Sequence, residues 1–166
     1  MQLLLVAILL LVVDGFVLWL VLIGAPYIPT KKAGLDKIMA LCGEVSGRKA
    51  LDIGSGDGRI VIALAKAGAE AHGVEINPFL VWWSRARIRK AGLKGRAFIH
   101  RQNLWSFDCS GYDVVTLFGI THIMKRLEKK LQRELKPGAR VVSIAFKFPT
   151  WEVADKNEVV YAFDQI

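Results

Sequence analysis

The segment Ala50-Leu-Asp-Ile-Gly-Ser-Gly-Asp-Gly-Arg59 limits the fold more than any other stretch of the chain. An apolar run ends in glycines at alternate positions, Gly54, Gly56 and Gly58, and a second apolar run starts at Ile60. Glycines at a sharp strand-to-helix turn remove every Cβ, so the backbone can bend left-handed and lie directly against a ligand. The next apolar run, His72-Gly-Val-Glu-Ile-Asn-Pro78, carries Glu75 near its end. An acid about twenty residues beyond such a glycine turn, at the end of the second strand, accepts hydrogen bonds from ribose hydroxyls. The two elements together imply a nucleotide-type cofactor.

The spacing narrows the choice. A dinucleotide site needs G-x-G-x-x-G, with the helix N-terminus facing a pyrophosphate, whereas this chain reads G-x-G-x-G with Asp57 inside the turn. A carboxylate there repels a pyrophosphate but suits a cofactor bearing an ammonium and a sulfonium, S-adenosyl-L-methionine. A phosphate-binding loop is excluded because no G-K-[ST] follows the glycines. The candidate cofactor-binding residues of this region are Asp52, Gly54, Ser55, Gly56, Asp57, Gly58, Glu75 and Asn77.

Apolar periodicity places the remaining elements. Leu35, Ile38, Met39, Cys42 and Val45 repeat at three and four, as in a short amphipathic helix. Residues 49–53, 69–76, 96–101, 112–118 and 140–146 read as strands, several apolar throughout as in a sheet covered on both faces. Asn77-Pro78 is a helix opening with Asn as N-cap and Pro as the first helical residue, and Gly92 is the stop. Ile123, Leu127, Leu131 and Leu135 form a further helical stripe closed by Pro137-Gly138. In residues 150–163, Asp155-Lys-Asn157 reads as the turn of a hairpin between two extended pieces. Strand-helix alternation predicts an α/β fold, a doubly wound, mainly parallel seven-stranded sheet with a C-terminal antiparallel hairpin.

Ahead of this domain, residues 3–23 are apolar except Asp14 and Gly15. At 1.5 Å per helical residue they span about 31 Å, the thickness of a hydrocarbon core. Asp14 costs roughly 2.5 to 3.5 kcal/mol near the centre, which the many Leu, Ile, Val and Phe at about −0.3 to −0.6 each more than offset. The reading is a transmembrane helix in residues 1–25, followed by one domain, residues 26–166. Nothing positive precedes the apolar run and Lys31, Lys32 and Lys37 follow it, which predicts a single-pass protein with its N-terminus outside and its domain cytoplasmic. The net charge of +8 is concentrated at Arg85, Arg87, Arg89, Lys90, Lys94 and Arg96, and at Lys125, Arg126, Lys129, Lys130 and Arg133. For a tethered domain, anionic headgroups are the simplest counter-surface. Cys42 and Cys109 lie far apart with no CxxC or His cluster, so they predict buried thiols and no metal site.

Pro26-Tyr-Ile-Pro-Thr30, Leu51-Asp-Ile-Gly-Ser-Gly-Asp-Gly-Arg59, Gly73-Val-Glu-Ile-Asn-Pro78, Asn103-Leu-Trp105, Lys130-Leu-Gln-Arg-Glu-Leu-Lys-Pro-Gly-Ala139 and Phe148-Pro-Thr-Trp151 resemble one family. It is the seven-β-strand protein lysine methyltransferases, which include archaeal broad-specificity enzymes and the mitochondrial membrane-anchored enzymes that modify the ATP synthase c subunit and the adenine nucleotide translocator. The resemblance implies a Rossmann-like class I methyltransferase fold, with S-adenosyl-L-methionine as donor and a lysine-containing, membrane-associated protein as partner. It further implies that Tyr27 and Thr30 form a lid over the methionine end of the cofactor, that Gly54 and Gly56 line it and that Glu75 holds the ribose. Asn103, with Leu104 beside it, meets the adenine.

Candidate walls for a substrate pocket are Tyr27, Phe118, Thr121 and Trp151, while His122 has the marks of a structural residue. A lipid or quinone methyltransferase would be served equally by the anchor, and a cofactor-binding membrane scaffold is the non-enzymatic alternative. Nucleic-acid methylation is disfavoured, because base-amino methylation places an Asp or Asn-Pro-Pro-aromatic motif after the fourth strand to bind a flipped base. That place reads Leu117-Phe-Gly-Ile-Thr-His122 here.

Overall fold

The computed structural model describes residues 32–166 and the isolated positions Val6, Leu11 and Gly15. Apart from those three positions, the apolar run read as a transmembrane helix lies outside these, as do the lid residues Tyr27 and Thr30. Among the described residues no helix is long and apolar enough to cross a membrane.

From Lys32 onward the elements are α1 (Lys32–Cys42), β1 (Lys49–Ile53), α2 (Arg59–Lys66), β2 (Glu70–Glu75), α3 (Pro78–Lys90), β3 (Ala97–Arg101), β4 (Val114–Phe118), α4 (Thr121–Glu134), β5 (Arg140–Ile144), β6 (Asp155–Asn157) and β7 (Val160–Asp164). The strands form a seven-stranded sheet in the order β3-β2-β1-β4-β5-β7-β6. β1 to β5 are parallel, and β7 runs antiparallel to both β5 and β6. The expected doubly wound sheet with a terminal hairpin is what the chain forms. The order reverses between β1 and β4, and a cleft at such a switch point, outside the carboxyl ends of the strands, is where α/β sheets bind ligands.

Side-chain alternation along the strands supplies two apolar layers. Ala50, Ala71, Ala97, Val114 and Val142 face Ile38 of α1, Val61 and Leu64 of α2, and Val81 and Ile88 of α3. Leu51, Val115, Leu117, Val141 and Phe163 face Leu127 and Leu131 of α4, together with Phe148 and Trp151. The small residues on the first face let three helices approach the sheet closely. Both cysteine thiols are buried and free, and burial pushes each up to about 12.

Two expectations are corrected, and one residue of the basic clusters proves buried. Asp155-Lys-Asn157 is strand β6 itself, and the turn falls on Glu158, in a left-handed conformation at φ 54, and Val159. An edge strand tolerates polar residues that a central one would not, so polarity alone mimicked a turn. β5 ends at Ile144 rather than residue 146, because Ala145 turns to φ 67 and its N–H leaves the ladder for Val159 O. The basic residues are not all solvated: Lys130 is buried, its Nζ donating to Phe107 O at 2.7 Å and to Glu134 Oε2 at 2.6 Å.

Candidate cofactor and substrate site

β1 ends at Ile53 and the glycine turn follows. Gly54, Gly56 and Gly58 all take left-handed φ angles, 74, 52 and 77°, which a side chain would strain. Gly54 N and Ser55 N donate to Val74 O at 2.9 and 3.0 Å, tying the turn to β2. The glycines then divide the work. Among the described residues a Cβ built on Gly54 meets nothing within 4 Å, so these leave open space over the turn, whereas one on Gly58 would sit 2.9 Å from Ser84 Cβ of α3. Gly58 is therefore a packing glycine where α2 starts beneath α3. Ser55 is buried, its Oγ without a hydrogen-bond partner among the described residues and folded down over Gly73, where a Cβ would meet that oxygen at 2.6 Å.

Glu75, the last residue of β2, is buried and braces the turn. Its Oε2 accepts from Gly56 N at 3.0 Å and its Oε1 from Asn77 N at 2.8 Å. Each oxygen retains lone-pair capacity for a further donor. Asn77 caps α3, its Oδ1 accepting from Phe79 N at 2.9 Å and Leu80 N at 3.4 Å. Pro78 is the first helical residue, as the Asn-Pro pair predicts. Asn103 is exposed beyond β3 at the same edge, and its Oδ1 accepts from Trp105 N at 3.0 Å. That leaves the second lone pair and the amide NH2 for a ligand. Leu104 is half-buried against the second apolar layer, and Trp105 beside it carries the Arg126 guanidinium 4.0 Å above its ring.

Asp52 and Asp57 have different tasks. Asp52, opposite Thr116 in the β1–β4 register, is buried, and the Thr116 hydroxyl donates to its Oδ1 at 2.7 Å. Burial pushes the Asp52 carboxyl up to about 7; the Thr116 hydrogen bond opposes this, and Glu75 and Asp57 add to it. Asp57, expected to turn its charge to a cofactor, is held by two arginines of the chain. Its buried carboxylate receives Arg59 Nε at 2.9 Å and Nη2 at 2.8 Å, and is also paired with Arg87 Nη1. Those two guanidinium groups offset the charge that the sequence pattern alone would assign to a ligand.

At the carboxyl end of β4, Phe118 is 36% exposed and stands edge-on to Phe146, ring centroids 6.2 Å apart. Phe146 was not anticipated; an aromatic just past a strand carries no periodic signal. Thr121 and His122 are exposed in the first turn of α4. Trp151, expected to share a pocket with Phe118, does not. It is buried against Phe148 and Phe163, and its Nε1 donates to Asp164 O at 3.1 Å. Asp164 pairs with Arg140, the first residue of β5, whereas Phe118 pairs with Ile144, the last, so about 13 Å of strand separate the two ends. The backbone leading to Trp151 is held from α4: Glu128 Oε1 accepts from Thr150 N at 2.9 Å, from Thr150 Oγ1 at 3.0 Å and from Trp151 N.

Thus a glycine turn, an acid with spare acceptors and an exposed amide follow β1, β2 and β3 in turn along the carboxyl edge of the sheet. The ANTKMT methyltransferase domain family matches residues 52–155, more than half of the chain. The chain belongs to this family. It is 41% identical over 143 residues to the mouse lysine N-methyltransferase of the ATP synthase c subunit, an alignment covering 84% of this chain and 58% of that protein. It is 36% identical over 148 residues to a protein-lysine N-methyltransferase of Saccharolobus islandicus, covering 83% of this chain and 92% of that one. Among solved structures, an RNA methyltransferase from Salinibacter ruber in complex with S-adenosyl-L-homocysteine superposes with a TM-score of 0.77 at 31% identity, covering 83% of this chain and 92% of the other. The chain thus spans about three fifths of the mouse protein's length but nearly all of the archaeal one.

Proposed function

We propose that this chain is an S-adenosyl-L-methionine-dependent protein lysine N-methyltransferase acting on a membrane-associated protein. The observation that carries the substrate class is the alignment with the archaeal protein-lysine N-methyltransferase across 92% of its length, Glu75 and the glycine turn falling within the matched domain. The residues fit the cofactor. Glu75 would take the two ribose hydroxyls on the lone pairs that Gly56 N and Asn77 N leave free, the turn at Gly54 would admit the ligand against bare backbone, and Asn103 would meet the adenine edge. Tyr27 and Thr30, which lie outside the described residues, keep the lid role that the resemblance implies.

When bound, the cofactor supplies an electrophilic methyl whose sulfonium leaves as a neutral thioether. The protein's share is alignment and desolvation. A lysine with a pKa of about 10.4 is only about one part in a thousand neutral near pH 7.4, an unfavourable term of roughly 4 kcal/mol. The Phe118 and Phe146 rings would form apolar walls that pack the lysine stem and disfavour its ammonium form, leaving the proton to water. Residues 3–23 anchor the chain, with the domain on the cytoplasmic side.

The test is to incubate the purified full chain with methyl-labelled S-adenosyl-L-methionine and membranes, then fractionate protein, lipid and RNA. Label in protein that is recovered as methyl-lysine supports the reading. Label that extracts with lipid, or that runs with RNA, as the name of the Salinibacter enzyme would lead one to look for, replaces it. A reporter fused after Ile166 that proves to be exported would overturn the orientation.

A further inference from the structure

Helix α3 buries Val81, Ser84 and Ile88. At 100° per residue, the opposite side is made by Phe79, Trp82, Trp83, Ala86, Arg89 and Lys90. Phe79 is 64% exposed and Trp82 69%, with Trp83 at 45%. Large aromatics at i and i+3 on the solvent side of a helix reverse the usual pattern, and clustered apolar exposure marks an interaction surface. The aromatics occupy the first turn and a half, and the cations follow on the same side. The sequence from Ile76 to Arg101 contains no acid and seven Arg or Lys residues. Arg87 is engaged with Asp57, and Arg85 donates to Ile99 O at 2.7 Å, but Arg89, Lys90, Lys94 and Arg96 are exposed.

We infer that this outward side of α3 lies flat on an anionic bilayer, with Phe79 and Trp82 at the headgroup–acyl boundary and Arg89 and Lys90 among the phosphates. The Trp82 indole, apolar with one N–H, favours that boundary, the Phe79 ring adds apolar area there, and each cation near an anionic leaflet adds to the attraction. A second copy of this chain is a poor occupant, because this acid-free stretch offers no counter-charge to its own cations. The apolar run of residues 3–23, long enough to cross a hydrocarbon core, brings a bilayer to the same chain. Orientation follows from the fold. α3 begins directly after Glu75, so its aromatic end lies at the cofactor edge of the sheet and docking sets the mouth of the site at headgroup level. Bilayer docking goes beyond methyl transfer and does not depend on it.

The experiment places one fluorophore on the full chain reconstituted in vesicles. Cys42 and Cys109 are buried with thiols pushed up to about 12, so bimane reacts at an introduced Ala86→Cys, or at Lys156→Cys on edge strand β6 as the control. The vesicles are phosphatidylcholine alone, or with about one third phosphatidylglycerol, and carry a headgroup nitroxide lipid. Strong quenching at position 86 but not at 156, most of it lost with Phe79→Ser/Trp82→Ser or when phosphatidylglycerol is omitted, supports docking. Unchanged cofactor affinity of the double variant in detergent, with no bilayer present, shows that it is folded. Absence of quenching at 86, or quenching indifferent to both changes, overturns it. Two outcomes in the absence of quenching would reassign the surface: a raised KM for a detergent-solubilised protein substrate in the double variant would give it to a protein partner. Variant-sensitive, salt-sensitive binding of single-stranded RNA would give it to nucleic acid.

Discussion

Replacing Glu75 should damage two things that can be measured separately. In the free protein its carboxylate accepts from Gly56 N at 3.0 Å, in a buried contact, and from Asn77 N at 2.8 Å, in a partly buried one. Glu75→Ala leaves Gly56 N without its acceptor at about 1 to 3 kcal/mol, and Asn77 N, which water can reach, at the lower end of that range. A total of about 2 to 4 kcal/mol lowers Tm by roughly 4 to 16 °C in a protein of this size. Cofactor binding then loses hydrogen bonds to a charged acceptor, about 1.5 to 3 kcal/mol, a 10- to 150-fold rise in Kd. Glu75→Gln is not conservative here, since its NH2 must face one of the two N–H donors; Tm should fall by about half as much, with most of the affinity gone. Thermal unfolding without ligand gives the first quantity. Calorimetric titration of S-adenosyl-L-homocysteine, below the variant's transition, gives the second. An affinity within about twofold of wild type in folded Glu75→Ala would remove the ribose assignment, and an unchanged Tm would mean that the carboxylate does not brace the turn.

Asp52 gives a pH signature of defined sign. Its carboxyl is pushed from 3.8 up to about 7 by burial, so the folded protein keeps a proton that the unfolded chain has released. Stability should therefore fall as pH rises from about 4 to about 7 and level off above, by up to about 1.4 kcal/mol per pH unit from this group. Asp52→Asn, which retains an acceptor for Thr116, should flatten that slope and exceed wild type at pH 8 in urea midpoint; parallel slopes in the two proteins would show that another group is responsible. Gly58→Ala combines a φ of 77° with a Cβ 2.9 Å from Ser84 Cβ, and should destabilise by about 2 to 3 kcal/mol. In a double-mutant cycle Ser84→Gly should recover the steric part, about 1 kcal/mol, whereas strict additivity would mean that the two residues do not collide.

The parts of the site legible in the sequence are those fixed within a few residues. Asn77-Pro78 announced its cap because side chain and backbone settle that geometry locally, and the alternate glycines announced a turn because only glycine adopts three left-handed angles so close together. What was not legible depends on partners distant in sequence. Asp57 looks available to a cofactor until Arg87 arrives from thirty residues away on α3. The Leu127–Leu131 stripe foretold the buried face of α4, but not that Glu128 and Lys130 beside it are drawn under to hold backbone groups of Thr150 and Phe107. Trp151, at the end of Phe148-Pro-Thr-Trp151, reads in the sequence as a wall of the substrate pocket. Only the descent of the chain along the α4 face, ending in a bond to Asp164 O, shows it to be core.

Polar residues drawn out of solvent also explain how a short chain keeps its cofactor edge ordered. The turn over β1 is secured from below by Val74 O, from the side by Glu75 and from behind by the Arg59–Asp57–Arg87 cluster, which ties the start of α2 to α3. Arg87 Nη1 also donates to Asp57 O at 3.0 Å, so one side chain fixes both the backbone and the carboxylate of the turn. α3 thus connects to the site through Gly58 and Ser84 as well as through Arg87, while its opposite side carries Phe79 and Trp82. A force on that outer side, such as contact with a bilayer, reaches the cofactor turn through a single rigid helix of thirteen residues. Docking and cofactor binding should then be coupled reciprocally: if vesicles tighten S-adenosyl-L-homocysteine binding, the ligand must tighten vesicle binding by the same factor. Arg87→Met, which cuts one of these links and leaves the outer side intact, should diminish that factor without abolishing lipid contact.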